Sequence, residues 1–213
     1  MRNKSGKNTV DSKDAAARVI EIAKLLRVDA ERLVALKRFF ESGNTQAAAD
    51  ALGRFQEGTA ATLITGAILA SIAIACTRAS DKAAPDRYSI PTAQLLLADA
   101  ATLEVVAAAG NLPALNDFLR LADEIENAYS HGRLRDLRNC QIAHHLPDKY
   151  AKVHRANLQH LWNAVSDVLI TVYQLGVGTG ITTVAFDSVD KVWTERCDAY
   201  WHRLIGGPSS EAK

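Results

Sequence analysis

The sequence contains few of the residues that build disulfide-linked or β-rich folds. Only three of its 213 residues are cysteines (Cys76, Cys140 and Cys197), and none of them forms a CxxC motif. This pattern favours free thiols in a reducing cytoplasm over a disulfide framework. Glycine and proline are sparse, with 12 and 5 residues, and β-branched residues rarely alternate with polar ones, so extended strands are not expected.

The chain also lacks a net charge excess and the motifs of the common enzyme classes. Its formal charge is +1, so global charge excludes no class of partner. It has no GxSxG, no HExxH and no phosphate loop leading into a helix, and the GVGTG at 176–180 follows a helical pattern and is expected to form a turn. The N-terminal segment carries no apolar run, so we expect no secretory signal there.

One long uncharged run, Thr59–Cys76, tests whether the protein is soluble. Its eighteen residues approach the length of a transmembrane helix. However, alanine, threonine, glycine and serine dominate it, whereas membrane insertion is driven by Leu, Ile, Phe and Val. We therefore expect a buried core helix and no stable membrane insertion, with a membrane span as the alternative.

Apolar residues recur at three- and four-residue steps throughout the chain, which predicts an all-α fold. We expect a single bundle of six to eight helices over residues 14–205, between a basic tail at 1–13 and a second tail at 206–213. The predicted helices cover about 14–27, 29–41 with Asp29 as a cap, 45–79 with a pause near Gly58, 92–109, 113–129, 133–145, 152–175 and 187–204.

The sequence also predicts where several of these helices begin and end. Residues 80–91 contain two prolines and two aspartates and predict a loop, and 130–132 predicts a short break. Pro113 fits the first turn of its helix. The last helix is expected to turn an aromatic and apolar stripe inward, comprising Val189, Val192, Trp193, Cys197, Tyr200, Trp201 and Leu204.

Histidines and basic residues concentrate in one part of the chain. Five of the six histidines lie between positions 131 and 160, and residues 131–155 hold six arginines or lysines against two aspartates. A basic patch that carries histidines suits RNA phosphates, and a solvated helix face is the alternative. The basic residues that we expect to bind RNA are Arg133, Arg135, Lys149, Lys152 and Arg155.

We expect no metal ion and no cofactor in this patch. His144 and His145 are adjacent, so their side chains diverge by about 100° on a helix. Asp148 follows His144 by four residues, but it lies beyond the expected end of this helix at residue 145. Cys140, four residues before His144, would give two ligands without a third.

RNA can be cleaved without a metal by an arginine and a histidine. Histidine titrates near neutral pH and can move the protons of the ribose 2′-hydroxyl and the 5′-oxygen leaving group. Arginine stays charged and binds phosphate oxygens as negative charge builds up. Such a pair occurs in Leu137–His145, where Arg138 and Asn139 are followed by His144 and His145.

This stretch resembles the R-x(4–6)-H signature of the HEPN superfamily, with either His144 or His145 as its histidine. The wider context resembles the abortive-infection (AbiU-type) branch, including the apolar helix that ends near Arg78 and Asp81 and the C-terminal helix with Trp201. The similarity covers about residues 14–205.

The resemblance implies a helical bundle that dimerises, so that the motif helices of two copies form one cleft. It implies a metal-independent endoribonuclease of toxin–antitoxin or phage-defence type, which acts on RNA in the cytoplasm. An antitoxin protein is a further partner that the resemblance implies. Arg138 and His144 would be catalytic, supported by Asn139. Some members instead are non-catalytic modules that bind a nucleotide, RNA or a partner protein, and this alternative stays open.

Helical geometry leaves the choice of histidine open. Arg138 and His144 are about 120° apart on a regular helix, whereas Arg138 and His145 lie within about 20° of each other. A monomeric site favours His145, and a site shared between two copies permits His144. In a purely structural alternative, His144 caps its helix and Arg138 pairs with Asp136 or with an acidic residue of the preceding helix.

Overall fold

The computed structural model describes residues 11–54, 58–138, 158–182 and 185–205. Over these ranges the backbone forms nine α-helices and no strand, which confirms the predicted all-α bundle with one helix more than expected. The helices are α1 (Ser12–Gly43), α2 (Gln46–Arg54), α3 (Gly58–Ala79), α4 (Ile90–Leu97), α5 (Ala100–Ala109), α6 (Leu112–Asn127), α7 (Tyr129–Leu137), α8 (Leu158–Gly178) and α9 (Phe186–Ile205).

One continuous helix, α1, replaces the two helices predicted before residue 42. Asp29 was expected to cap the second of them, but it lies inside α1 and its carboxylate accepts a hydrogen bond from Arg78 Nη2 at 2.5 Å. Leu26, Ala30 and Leu33 are all buried. These three residues continue the apolar stripe of the helix across position 29. Burial of that stripe stabilises one continuous helix through Asp29.

Two helix breaks differ from the prediction. The helix expected over 92–109 divides into α4 and α5, which are inclined to each other by 105°. Asp99 starts α5 by accepting hydrogen bonds from the amide and hydroxyl of Thr102, a strong N-terminal cap. The break expected at 130–132 lies instead at Ala128, whose extended backbone (ψ 129°) separates α6 from α7.

Other helix starts are where the sequence placed them. Residues 80–89 form the predicted loop, and Pro91 stands in the first turn of α4 after the cap Ser89. Asn111 caps α6 by accepting from the Ala114 amide, and Pro113 lies in the first turn of that helix. Proline is tolerated at these positions because first-turn amides have no partner inside the helix.

The hydrophobic core is centred on α1, α6 and α8, with contributions from the other helices around them. Among its largest fully buried side chains are Ile22, Leu26, Leu33, Leu115, Phe118 and Leu175. Among the described helices, α9 packs mainly against α1 and α2. Its predicted inward stripe is therefore only partly right. Cys197 is buried, whereas the side chains of Val192, Tyr200 and Leu204 are exposed.

The apolar helix α3 is buried over only part of its length. Its segment Thr62–Ala79 is long and apolar enough to cross a membrane, and 28% of that segment is buried. Ile72 and Cys76 are inaccessible to solvent, whereas Leu63 and Ile64 are 69% and 55% exposed. The expectation of a buried core helix is right for the C-terminal half of α3. It is wrong for residues 62–67, whose side chains are exposed.

Glycines allow the α5–α6 junction to touch the end of α8. A Cβ atom on Gly110 would lie 1.9 Å from the carbonyl oxygen of Gly178, and the Asn111 amide donates to that same oxygen at 3.0 Å. Gly178 lies inside α8, so the turn predicted over 176–180 is confined to Thr179 and Gly180. Gly180 adopts a φ of 72°, the left-handed conformation that glycine permits.

Candidate functional site

Arg138 follows directly on α7 and is held by a residue from a distant loop. Its Nη1 donates a hydrogen bond to Asp81 Oδ1 at 3.0 Å, and both side chains are about one-quarter exposed. Asp81 lies just beyond α3, which packs against α7. In the structural alternative described above, Arg138 was expected to pair with Asp136 or with an acidic residue of the preceding helix. Asp81, in the loop after α3, is neither of these. The Asp136 Oδ2 atom lies 3.9 Å from Arg133 Nη1.

A second arginine shares the Asp81 carboxylate. Arg87 Nη1 lies 3.8 Å from Asp81 Oδ2, and it is also 3.4 Å from the Lys82 carbonyl oxygen. Asp81 is thus flanked by the charges of Arg87 and Arg138. Two guanidinium groups around one carboxylate leave a net positive charge at this point of the surface, which favours an anion such as phosphate.

The other two described arginines of the predicted RNA surface pack along α7 itself. The Arg133 guanidinium stacks over the Tyr129 ring, 4.7 Å from its centroid, and its Nε is buried with no hydrogen-bond partner within the described ranges. Arg135 reaches back to the carbonyl oxygens of His131 and Glu126 at 3.4 and 3.5 Å. Both are partly buried, so their surface contribution is smaller than the sequence suggested.

His131 does not belong to an accessible histidine cluster. Its side chain is completely buried, and neither ring nitrogen has a hydrogen-bond partner in the part of the chain that the structure describes. Nε2 lies 3.5 Å from the Asp167 carboxylate on α8. His160 packs edge-on against Tyr129, with ring centroids 5.4 Å apart. A buried imidazole cannot reach an RNA backbone, so His131 has a place in the core and not in the basic patch.

The remaining predicted site residues lie outside the described residues. They are Asn139, His144, His145, Lys149, Lys152 and Arg155. The structure therefore locates the arginine of the motif and its anchor. Of the five residues expected to bind RNA, it locates two, Arg133 and Arg135, both on α7.

A pocket that was not predicted from the sequence lies beside Asp81. It has a volume of about 510 Å³ and lies between α1, the end of α3 and the loop 80–89. We call it the Arg32 pocket; α1 contributes Leu25, Val28, Asp29 and Arg32 to its wall. The signal that could have found it is the charge density of the loop, where Asp81, Lys82, Asp86 and Arg87 follow closely on Arg78.

The described cysteines are not nucleophiles. Burial, reinforced by the negative charge of Asp167, raises the pKa of the Cys76 thiol to about 12. Burial also raises the pKa of Cys197. Both thiols are therefore protonated at neutral pH, and the thiolate is the reactive form. Within the described ranges, no group of three or more His, Cys, Asp or Glu residues could hold a metal ion.

Comparisons of the chain with models of known protein families, with curated proteins and with solved structures found no match.

Proposed function

We propose that the chain is a HEPN-type endoribonuclease that cleaves RNA without a metal ion. Arg138 binds the scissile phosphate, and His144 or His145 transfers protons, with Asn139 in support. The observation that carries the proposal is the Arg138–Asp81 ion pair, which fixes the arginine of the motif next to a second guanidinium, that of Arg87.

The ion pair with Asp81 is compatible with phosphate binding by Arg138. A guanidinium has five N–H donors in a planar fork, so it can bind a carboxylate and a phosphate at the same time. The bond to Asp81 Oδ1 comes from Nη1. A carboxylate behind the guanidinium also limits its rotation, so less freedom is lost when a phosphate binds. Arg87 on the other side of Asp81 keeps the local charge positive. These features favour a bound phosphodiester over a purely structural ion pair.

The proposed reaction needs proton transfer and charge stabilisation but no oxidant or cofactor. A histidine removes the proton of the ribose 2′-hydroxyl as its oxygen forms a bond to phosphorus. The bond between phosphorus and the 5′-oxygen breaks, and that oxygen receives a proton. The products are a 2′,3′-cyclic phosphate and a 5′-hydroxyl. Arg138 stabilises the extra negative charge that the phosphate oxygens carry in between.

The central experiment incubates the purified protein with end-labelled RNA in EDTA. We expect cleavage to products with a 2′,3′-cyclic phosphate, and a loss of about 10²- to 10³-fold in Arg138→Ala. Arg120→Ala is the matched control, because Arg120 is exposed on α6 and its ion pairs within the described ranges are local ones, with Asp117 and Glu124. No cleavage by the wild type, or equal cleavage by Arg138→Ala, would instead indicate a non-catalytic module.

A second experiment tests whether the site is shared between two copies. If each site takes Arg138 from one copy and His144 from the other, Arg138→Ala mixed with His144→Ala forms heterodimers with one intact site. After subunit exchange we expect about one-quarter of wild-type activity, because half of the dimers then carry one intact site of two. No recovery of activity would place the pair in one copy, and His145 would then replace His144.

A further inference from the structure

The Arg32 pocket is directly connected to the proposed catalytic residue. Asp81 lies in the pocket wall and also holds Arg138 at 3.0 Å. The volume of about 510 Å³ is within the range of small-molecule sites. A ligand in the pocket would therefore be separated from Arg138, the arginine proposed to bind the scissile phosphate, by the side chain of Asp81.

Arg32 is the cation of the pocket wall that has no carboxylate partner among the described residues. Asp29 accepts from Arg78 at 2.5 Å, and Asp81 is shared by Arg138 and Arg87. Arg32 is exposed and has no ion-pair or hydrogen-bond partner among the residues that the structure describes. An arginine in that condition, facing a concave surface, suits a phosphate, because its planar fork matches two phosphate oxygens.

The same pocket exposes apolar and aromatic surface. Leu25 and Val28 are 44% and 56% exposed on adjacent turns of α1, and the Tyr88 ring is 36% exposed at the rim. Such surface is stabilised when a planar apolar group covers it. The exposed carboxylate of Asp86, also in the wall, can accept a hydrogen bond from an exocyclic amino group of a base.

We propose that the Arg32 pocket binds one nucleotide of single-stranded RNA next to the scissile bond. Arg32 contacts its phosphate, and Leu25, Val28 and Tyr88 contact its base. Phosphate contacts with base contacts are the combination by which proteins hold unpaired RNA. The inference rests on the proposed ribonuclease function and adds a substrate class, namely unpaired RNA, and a second contact point for it.

The test measures binding separately from cleavage. A fluorescein-labelled oligonucleotide with 2′-O-methyl riboses cannot be cleaved by attack of the 2′-oxygen, and its binding is followed by fluorescence anisotropy in EDTA. We expect Arg32→Ala to weaken binding about tenfold and to lower the slope of log affinity against log salt by about one. Arg32→Glu should weaken it further, and Arg120→Ala should bind like the wild type.

Photo-crosslinking with a 4-thiouridine oligonucleotide locates the contact. Adducts on peptides containing residues 25–32 or 81–88 are expected. Adducts exclusively on other helices would overturn the proposal, as would unchanged affinity in Arg32→Glu, which would leave the pocket to a partner protein. An equal loss in Arg32→Ala and Arg120→Ala would also overturn it, since it would reflect charge alone.

Cleavage of unmodified RNA separates this inference from the function on which it rests. If the wild type cleaves RNA and Arg32→Ala does so with the same KM, the pocket proposal fails and the nuclease stands. If Arg32 is needed to bind the oligonucleotide but the wild type cleaves nothing, the nuclease proposal fails and the RNA site stands.

Discussion

Arg138 and Asp81 are 57 positions apart in the chain, and their side chains meet at 3.0 Å. The contact connects the arginine of the proposed catalytic motif to the loop that follows α3. An arginine that must meet a phosphate in one geometry depends on whatever fixes its guanidinium, and displacement of about 1 Å can cost about a hundredfold in rate.

We predict that Asp81→Asn lowers the kcat of RNA cleavage by about ten- to hundredfold with a smaller change in KM. The amide still occupies the space but no longer holds the guanidinium by charge. Steady-state kinetics would measure the effect, and the melting temperature should fall by no more than about 4 °C, as for a partly exposed ion pair.

Two controls show whether Asp81 acts through Arg138. Asp136 lies on α7, two residues before Arg138, is 59% exposed, and has its Oδ2 3.9 Å from Arg133 Nη1. Asp136→Asn should therefore leave kcat near the wild-type value. The double variant Asp81→Asn/Arg138→Ala should be no slower than Arg138→Ala alone, because the two changes remove one unit. Additive losses would contradict the positioning role.

Local signals in the sequence predicted much of the fold, and contacts distant in sequence account for what they missed. Ser89, Asn111 and Pro113 mark helix starts through interactions within one turn, so they could be located from the sequence. Asp29 has the chemistry of a cap, but its partner Arg78 comes from another helix. Tertiary packing therefore decided whether α1 continued.

The same distinction applies to the site. Arg138 was identified from a local motif, whereas its pairing with Asp81 depends on how α3 packs against α7. His131 lies in the histidine-rich part of the sequence, which suggested a functional role. Its burial in the core follows from the packing of α7 against α8. The Arg32 pocket is formed by residues 25–32 and 78–88, two segments about 50 residues apart. A pattern within either segment alone cannot predict it.

The ion pair between Arg38 and Asp190 predicts a pH-dependent stability. Nε and Nη2 of Arg38 donate to the two carboxylate oxygens of Asp190 and join α1 to α9. This hydrogen bonding, together with the charge of Arg38, holds the pKa of Asp190 below its usual value. The carboxyl thus binds a proton more weakly in the folded chain. The stabilisation is present above about pH 4 and is lost as the pH falls through the folded-state pKa.

We therefore expect Asp190→Asn to melt about 2–4 °C below the wild type at pH 7, for a loss of about 1 kcal/mol. The difference should shrink as the pH falls through the folded-state pKa of Asp190, where the wild-type carboxyl becomes protonated as well. Circular dichroism melts at several pH values would measure it, with Glu195→Gln, exposed on the same helix, as the control. A difference that stays constant with pH would rule out the charge of Asp190 as its source.

The uneven burial of α3 predicts opposite outcomes for the same substitution at two positions. Leu63 is 69% exposed and Ile72 is inaccessible. Leu63→Asp should change the free energy of unfolding by no more than about 0.5 kcal/mol, whereas Ile72→Asp buries an unpaired carboxylate and should prevent folding. Thermal melts and the yield of protein that remains in solution without detergent would show this. If α3 crossed a membrane, Leu63→Asp would reduce the membrane-bound fraction, and the wild type would require detergent.

The contact between Gly110 and Gly178 predicts that alanine destabilises one glycine position and stabilises another. A methyl group on Gly110 would meet the Gly178 carbonyl oxygen at 1.9 Å, so the backbones at the α5–α6 junction and the end of α8 must separate. Gly110→Ala should cost about 1–3 kcal/mol, as overpacking in a filled site does.

Gly66→Ala is the matched control, because Gly66 lies inside α3 with nothing within 4 Å of the added atom. That change should stabilise the helix by about 0.5–1 kcal/mol, since alanine loses less backbone freedom on folding. Urea unfolding followed at 222 nm would measure both changes. Equal stability of the two variants would mean that the α5–α6 junction does not approach α8 this closely in solution.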